Sequence, residues 1–239
     1  MQRRVIIKMW YILIFLNFCL FANYYGGSPG ANFNYGTNAR EISLSNSIVS
    51  SYNKGFVALN NPALLPKIKN NEYGFSYFIM SLDRSVQSIS IARPLPPSAG
   101  VSLSFYRVGT DNIIETNSSF GDQLGILNYS QGFGMLSFGI DLGSLSGGFN
   151  FKALYNNMDI YQSESSLGFD VGFLYKINQN INLGMKINNL SSSFDWEIDH
   201  LNQNQSEIYE EEIPTSYMLG LSYHIPYKLL ISSQVDSYA

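Results

Sequence analysis

Past residue 22 the chain has no cysteine; the only one, Cys19, lies inside a leader-like segment. Disulfide and thiol chemistry are therefore closed to the rest of the chain. Charge is also scarce, at 13% of 239 residues. The net charge is −4; without residues 1–22, 11 basic residues face 18 acidic ones, which gives −7. A mildly acidic chain with no basic patch argues against nucleic acid as a partner. The two histidines, His200 and His224, stand in no metal-ligand spacing. There is no Gly-x-Ser-x-Gly elbow and no phosphate-binding glycine loop. No catalytic residue, cofactor site or metal site is read from the sequence, which predicts a non-enzymatic protein. After residue 22 no apolar run is long enough to cross a bilayer as a helix, which takes about 20 residues.

What is present begins with a targeting signal. Arg3, Arg4 and Lys8 precede an apolar core from Ile12 to Leu20, and Ala22 offers a small residue for cleavage. This predicts an export signal peptide over 1–22.

Beyond it, alternation dominates. In 166–177 (SLGFDVGFLYKI), Leu167, Phe169, Val171, Phe173, Tyr175 and Ile177 share one face, and Gly168, Asp170, Gly172 and Lys176 share the other. Segments 181–188 (INLGMKIN) and 216–225 (SYMLGLSYHI) repeat the pattern. Period two means strand. Soluble sandwiches alternate too. Behind an export signal, with 17 Tyr and 16 Phe, the pattern points to a transmembrane antiparallel β-barrel with a wet interior.

About nine strands are predicted, over 72–81, 86–93, 99–108, 132–142, 145–156, 165–177, 180–190, 215–225 and 228–237. Tight connections (94–98, 143–144, 178–180, 226–227) fall at one end. Longer ones (109–131, 157–164, 191–214) fall at the other, as short periplasmic turns and longer external loops would. The short 82–85 connection breaks this rule. Such barrels have even strand numbers, so an odd count ending in mid-pattern predicts a barrel truncated at its C-terminus.

Residues 23–70 alternate weakly and are predicted to form an N-terminal plug or lead-in, leaving 71–239 as barrel. Asn61 should cap a helix that begins at Pro62, with Pro66 limiting it to about one turn. Lys152, Asp170, Lys176 and Lys186 are predicted to point inward as structural ion pairs. The acidic segment 191–214 reads as a solvated external loop. Its Phe194 and Trp196 mark an interface or a candidate partner loop.

Three stretches carry a family resemblance: 30–65, which ends in Asn61-Pro62-Ala63; 145–160 (LSGGFNFKALYNNMDI); and 167–198, with an Asp-x-Gly-x-x-Tyr strand, an Asn-rich turn and a glycine strand closing in Asn-Leu. Together they resemble the PorV/PorQ family of outer-membrane proteins, which are similar in fold to FadL/OmpP1-like barrels. The opening departs from the family, with Ser43-Leu44-Ser45-Asn46 in place of a Gly-Met-Gly-like stretch. The resemblance implies an outer-membrane component of a type IX-like secretion system that binds protein cargo or partner barrels. The FadL-like fold implies the alternative, a transporter of hydrophobic small molecules. Phe33, Tyr35, Ile42, Leu44, Ile48, Val49 and Phe56 would then line a pocket or pack the plug.

Overall fold

The computed structural model describes residues 26–116, 121–158, 161–164, 166–199, 206–225 and 229–239. The predicted signal and His200 lie outside them.

Among the described residues twelve strands form in chain order: β1 (Glu72–Met80), β2 (Arg84–Leu95), β3 (Ala99–Thr116), β4 (Gln123–Asp141), β5 (Leu145–Met158), β6 (Tyr161–Glu164), β7 (Ser166–Lys176), β8 (Ile181–Leu190), β9 (Ser193–Asp199), β10 (Ser206–Glu212), β11 (Ser216–Ile225) and β12 (Leu229–Tyr238). Nine of them, β1-β2-β3-β4-β5-β7-β8-β11-β12, join edge to edge into one antiparallel sheet that curls into a half-barrel. These are the nine predicted from alternation. Among the described residues, the outer edges of β1 and β12 have no partner strand.

All three long connections predicted, 109–131, 157–164 and 191–214, hold strands instead, the second of them β6. Segment 109–131 is largely the far end of β3 and β4, which reach 18 and 19 residues and pair as a ribbon up to Thr116↔Gln123. Segment 191–214 is the β9–β10 hairpin, with Trp196 opposite Tyr209 and Asp195 opposite Glu210. Both lie off the curled sheet, where most side chains are exposed or half-buried on both faces, Phe194 of β9 being the exception. The alternation that marks a half-buried strand therefore fades there. β6 bridges the two regions: Met158 pairs with Tyr161, and Ser163 pairs with Trp196.

The sheet is inverted relative to a water-soluble sandwich. Its convex face carries large apolar side chains left exposed, Tyr73 and Phe75 at 72% each, with Leu103, Phe149, Phe173, Leu219 and Ile231 among the others. Its concave face carries small and polar side chains that are buried: Ser88, Ser90, Ser102, Ser104, Ser137, Asn150, Asp170 and Ser222.

What buries the concave face is the lead-in. Residues 30–68 run across it with little regular structure: a 3-10 turn (Ala31–Asn34), one helical turn α1 (Ala39–Ser43), a second α2 (Val57–Asn60), and a 3-10 helix (Pro62–Lys67). Asn38 Oδ1 caps α1 by accepting from the N–H groups of Arg40 and Glu41. Asn61 caps the last helix as predicted, its Oδ1 accepting from Ala63 N at 3.0 Å. That helix runs one residue past Pro66 instead of stopping there, because a 3-10 turn closes with Ile68 N donating to Leu65 O. The core lies between lead-in and sheet. Val57, Ala58, Leu64 and Leu65 pack against Val86, Tyr106, Met135, Leu154 and Leu174.

Candidate functional site

The strand glycines explain how the lead-in sits so close. Gly100 pairs with Gly139, Gly139 with Gly148, and Gly148 with Gly172. Four glycines thus form one row across β3, β4, β5 and β7 on the concave face. A furrow without Cβ atoms results, and lead-in backbone fills it. A Cβ on Gly148 would lie 2.5 Å from the Pro62 carbonyl carbon, and one on Gly100 would lie 2.6 Å from Leu65 O. On Gly139 it would strike Pro62 O, and on Gly172 it would strike Asn61 Oδ1. The furrow continues one step along at Gly184, where a Cβ would lie 2.6 Å from Val49 O. On β1, Gly74 faces the carbonyl of Gly55, which takes φ +83 to make this approach.

Asn61, Pro62 and Ala63 therefore occupy the centre of the furrow, all three buried. Besides capping, Asn61 Nδ2 donates to Val49 O at 2.8 Å and lies 3.3 Å from both Phe173 O and Met185 O. One buried amide ties two turns of the lead-in to β7 and β8. At the short-turn end Tyr52 donates its hydroxyl to Glu72, whose other oxygen accepts from Gly55 N at 2.8 Å. Burial, then the Glu72 carboxylate, push the Tyr52 phenol upward. Lys67 is pushed down to about 8, first by burial and then by the charge of Lys176.

The inward charges are where alternation placed them. Lys152 Nζ meets Asp170 Oδ1 at 2.7 Å, Lys186 Nζ meets Asp170 Oδ2 at 3.5 Å, and Lys176 pairs with Asp141 at 2.9 Å near the surface. Two buried ammonium groups thus share one buried carboxylate. Asn150 Nδ2 donates to Asp170 Oδ2 at 2.7 Å, and Asn189 N donates to Oδ1 at 3.1 Å. Lys186 also donates to Leu59 O at 2.9 Å, in the last turn of α2. There a cation satisfies a terminal helix carbonyl. Lys152 lies 5.0 Å from the Phe133 ring centroid.

Of the two aromatics proposed for a partner loop, Phe194 is fully buried and packs against Phe33 at 6.3 Å between centroids. It has no surface to offer, because the β9–β10 hairpin folds this side chain back onto the lead-in. Trp196 is half-buried, and its indole N–H donates to Glu211 at 3.2 Å. Tyr209, opposite it, is the exposed aromatic of the hairpin. His224 stands on the polar side of β11, at its exposed end. Among the described residues no group of three His, Cys, Asp or Glu could hold a metal ion, and no helix is long and apolar enough to cross a membrane.

Sequence reasoning missed Asn60, Asn188 and Asp236, which together line a cavity beside the charge cluster. The inward positions of Asn188 and Asp236 follow from alternation along β8 and β12, but Asn60 belongs to α2, and the cavity depends on where the lead-in lies. No protein-family profile and no curated protein matches the chain.

Proposed function

We propose that the protein is an outer-membrane β-barrel of the PorV/PorQ kind: a non-enzymatic component of a type IX-like secretion apparatus that binds protein cargo or partner barrels. The observation that carries this reading is the inverted polarity of the sheet. Apolar side chains that stay exposed along every strand of the curled sheet are costly in water and favourable in lipid. Strand length agrees: β1, β7, β8, β11 and β12 hold 9, 11, 10, 10 and 10 residues, against about 9–11 for a tilted transmembrane strand. In lipid both open edges must be covered, because an unpaired backbone group costs several kcal/mol there. Further strands along β1 and β12 would close the barrel.

The β3–β4 ribbon and the β9–β10 hairpin then stand on the external side, and Tyr209 is their exposed aromatic. Transport of hydrophobic molecules asks for an apolar cavity. Phe33, Tyr35, Ile48 and Val49 do line the cavity beside the charge cluster, but they share it with Lys152, Lys186, Asn188 and Asp236, so its lining is not apolar, and this favours the first reading.

Gentle detergent extraction of native outer membranes, with mass spectrometry of co-purifying proteins, tests the proposal. Recovery with secretion barrels or large exported proteins is expected. Absence from the outer-membrane fraction would overturn the barrel; recovery alone, with bound fatty acid, would turn the reading to transport.

A further inference from the structure

The two ends of the curled sheet carry opposite charge, which the net value of −4 conceals. At the long-connection end β9 holds three acidic residues and β10 four, with no basic one in either. At the short-turn end cations prevail. There Lys54, Lys67 and Lys69 line one groove of about 390 Å³, together with Tyr52, Asn70, Asn71 and Glu72. Lys54 and Lys69 are exposed, and Lys67 is half-buried. The charge of Lys176 also reaches Lys67. The carboxylates nearby are already engaged. Glu72 is buried and accepts from Tyr52 and Gly55 N, and Asp141 accepts from Lys176 Nζ and Gly143 N. Four ammonium groups thus face two carboxylates. Among the described residues Lys54, Lys67 and Lys69 make no ion pair. The low value of Lys67, about 8, fits this imbalance: burial first, and then the Lys176 charge, act against its proton.

We propose that this groove docks an acidic segment of a partner protein, whose carboxylates are taken by Lys54, Lys67 and Lys69. Three features favour such a segment over other anions. The groove is lined by lead-in residues and by Glu72, with no side chain of the convex face, so it opens away from the surface that lipid would cover. A lipid headgroup is disfavoured for that reason. Lysines are point charges on flexible stems, without the planar fork of arginine. They follow a flexible run of carboxylates more readily than they fix one phosphate. Asn70 and Asn71, both exposed, add amides that can donate to and accept from a peptide backbone. The groove lies at the opposite end from Tyr209, and it keeps its charge whether or not lipid covers the convex face.

Titration of the full chain, in nonionic detergent micelles, into fluorescein-labelled hexaglutamate tests this by anisotropy. Hexaglutamate should bind at low ionic strength and weaken as salt is added, and hexaglutamine should not bind. Lys67→Met should weaken binding about tenfold, and Lys54→Gln and Lys69→Gln about three- to fivefold each. Lys67→Met removes a partly buried charge, so the fold is kept. Arg93→Gln, at the same end but on the convex face of β2, should change nothing. The proposal is overturned if hexaglutamate fails to bind cooperatively folded protein, if hexaglutamine binds as well, or if Arg93→Gln weakens binding as much as the groove variants do. It is equally overturned if inorganic phosphate displaces the peptide at equal concentration, which would make the groove a small-anion site. Displacement by phosphatidylglycerol added to the micelles would give it to a lipid headgroup instead.

Discussion

The two faces of the curled sheet obey opposite rules, although they belong to the same strands. On the convex face, size is tolerated: Phe105 stacks on Tyr155 at 6.3 Å, and Phe151 meets Phe169 edge-on at 5.4 Å. A Cβ at Gly147 or Gly134 would meet nothing within 4 Å. On the concave face, a single methyl group at Gly148 collides with Pro62. The difference lies in what covers each face. Side chains can shift around an added methyl, but a backbone pinned by its own hydrogen bonds cannot. The concave side is thus shaped by the lead-in, the convex side by its surroundings.

The neighbouring pair Gly147 and Gly148 breaks this comparison most sharply. Gly148→Val should prevent the lead-in from seating and cost about 3 kcal/mol or more, while Gly147→Val should cost less than about 1 kcal/mol. Denaturant unfolding of the two variants reads the difference directly; equal losses would mean that the furrow is not what holds the lead-in. Next comes the charge cluster. Asp170→Asn leaves Lys152 and Lys186 buried without their shared carboxylate, and should cost about 3–5 kcal/mol in the same assay. A smaller loss, about 2–3 kcal/mol, is expected for Asn61→Ala, which removes one cap bond and the Nδ2 contacts to Val49, Phe173 and Met185. Limited proteolysis should then cut first within residues 30–68, whereas uniform cleavage would show that Asn61 does not clamp this segment.

The smallest effect is a matter of pH. Lys67 is held down to about 8 in the folded chain, against about 10.4 in the unfolded one. Between these values the unfolded state binds one more proton, so stability should rise as pH climbs through that window. Lys67→Met should flatten the rise, and a rise of equal size in the variant would assign it to another group.

Much of this was legible in the sequence, for a physical reason. The nine strands of the half-barrel could be read because each has one face buried and one exposed, and alternation reports that contrast. The same logic set Lys152, Asp170 and Lys186 on one side, and their pairing followed. Asn61 before Pro62 announced a cap. The β9–β10 hairpin was not legible, since nothing about Asp195 or Glu210 distinguishes a strand outside the sheet from a loop. Nor was the furrow. Gly100, Gly139, Gly148 and Gly172 are visible singly, but their row is a property of register across four strands. Phe194, surrounded by acidic residues, looked like a surface group and is core.

Asn61 also sets the order of events as the chain matures. The seat for its side chain is built from carbonyls of Phe173 and Met185, 112 and 124 residues downstream. Contacts so distant along the chain form slowly, because closing a large loop precedes any gain from it. The lead-in is made early yet finds its place only once β8 has joined the sheet. Until then its apolar residues need another shelter, so a holding chaperone should bind the unfolded chain first at residues 48–65.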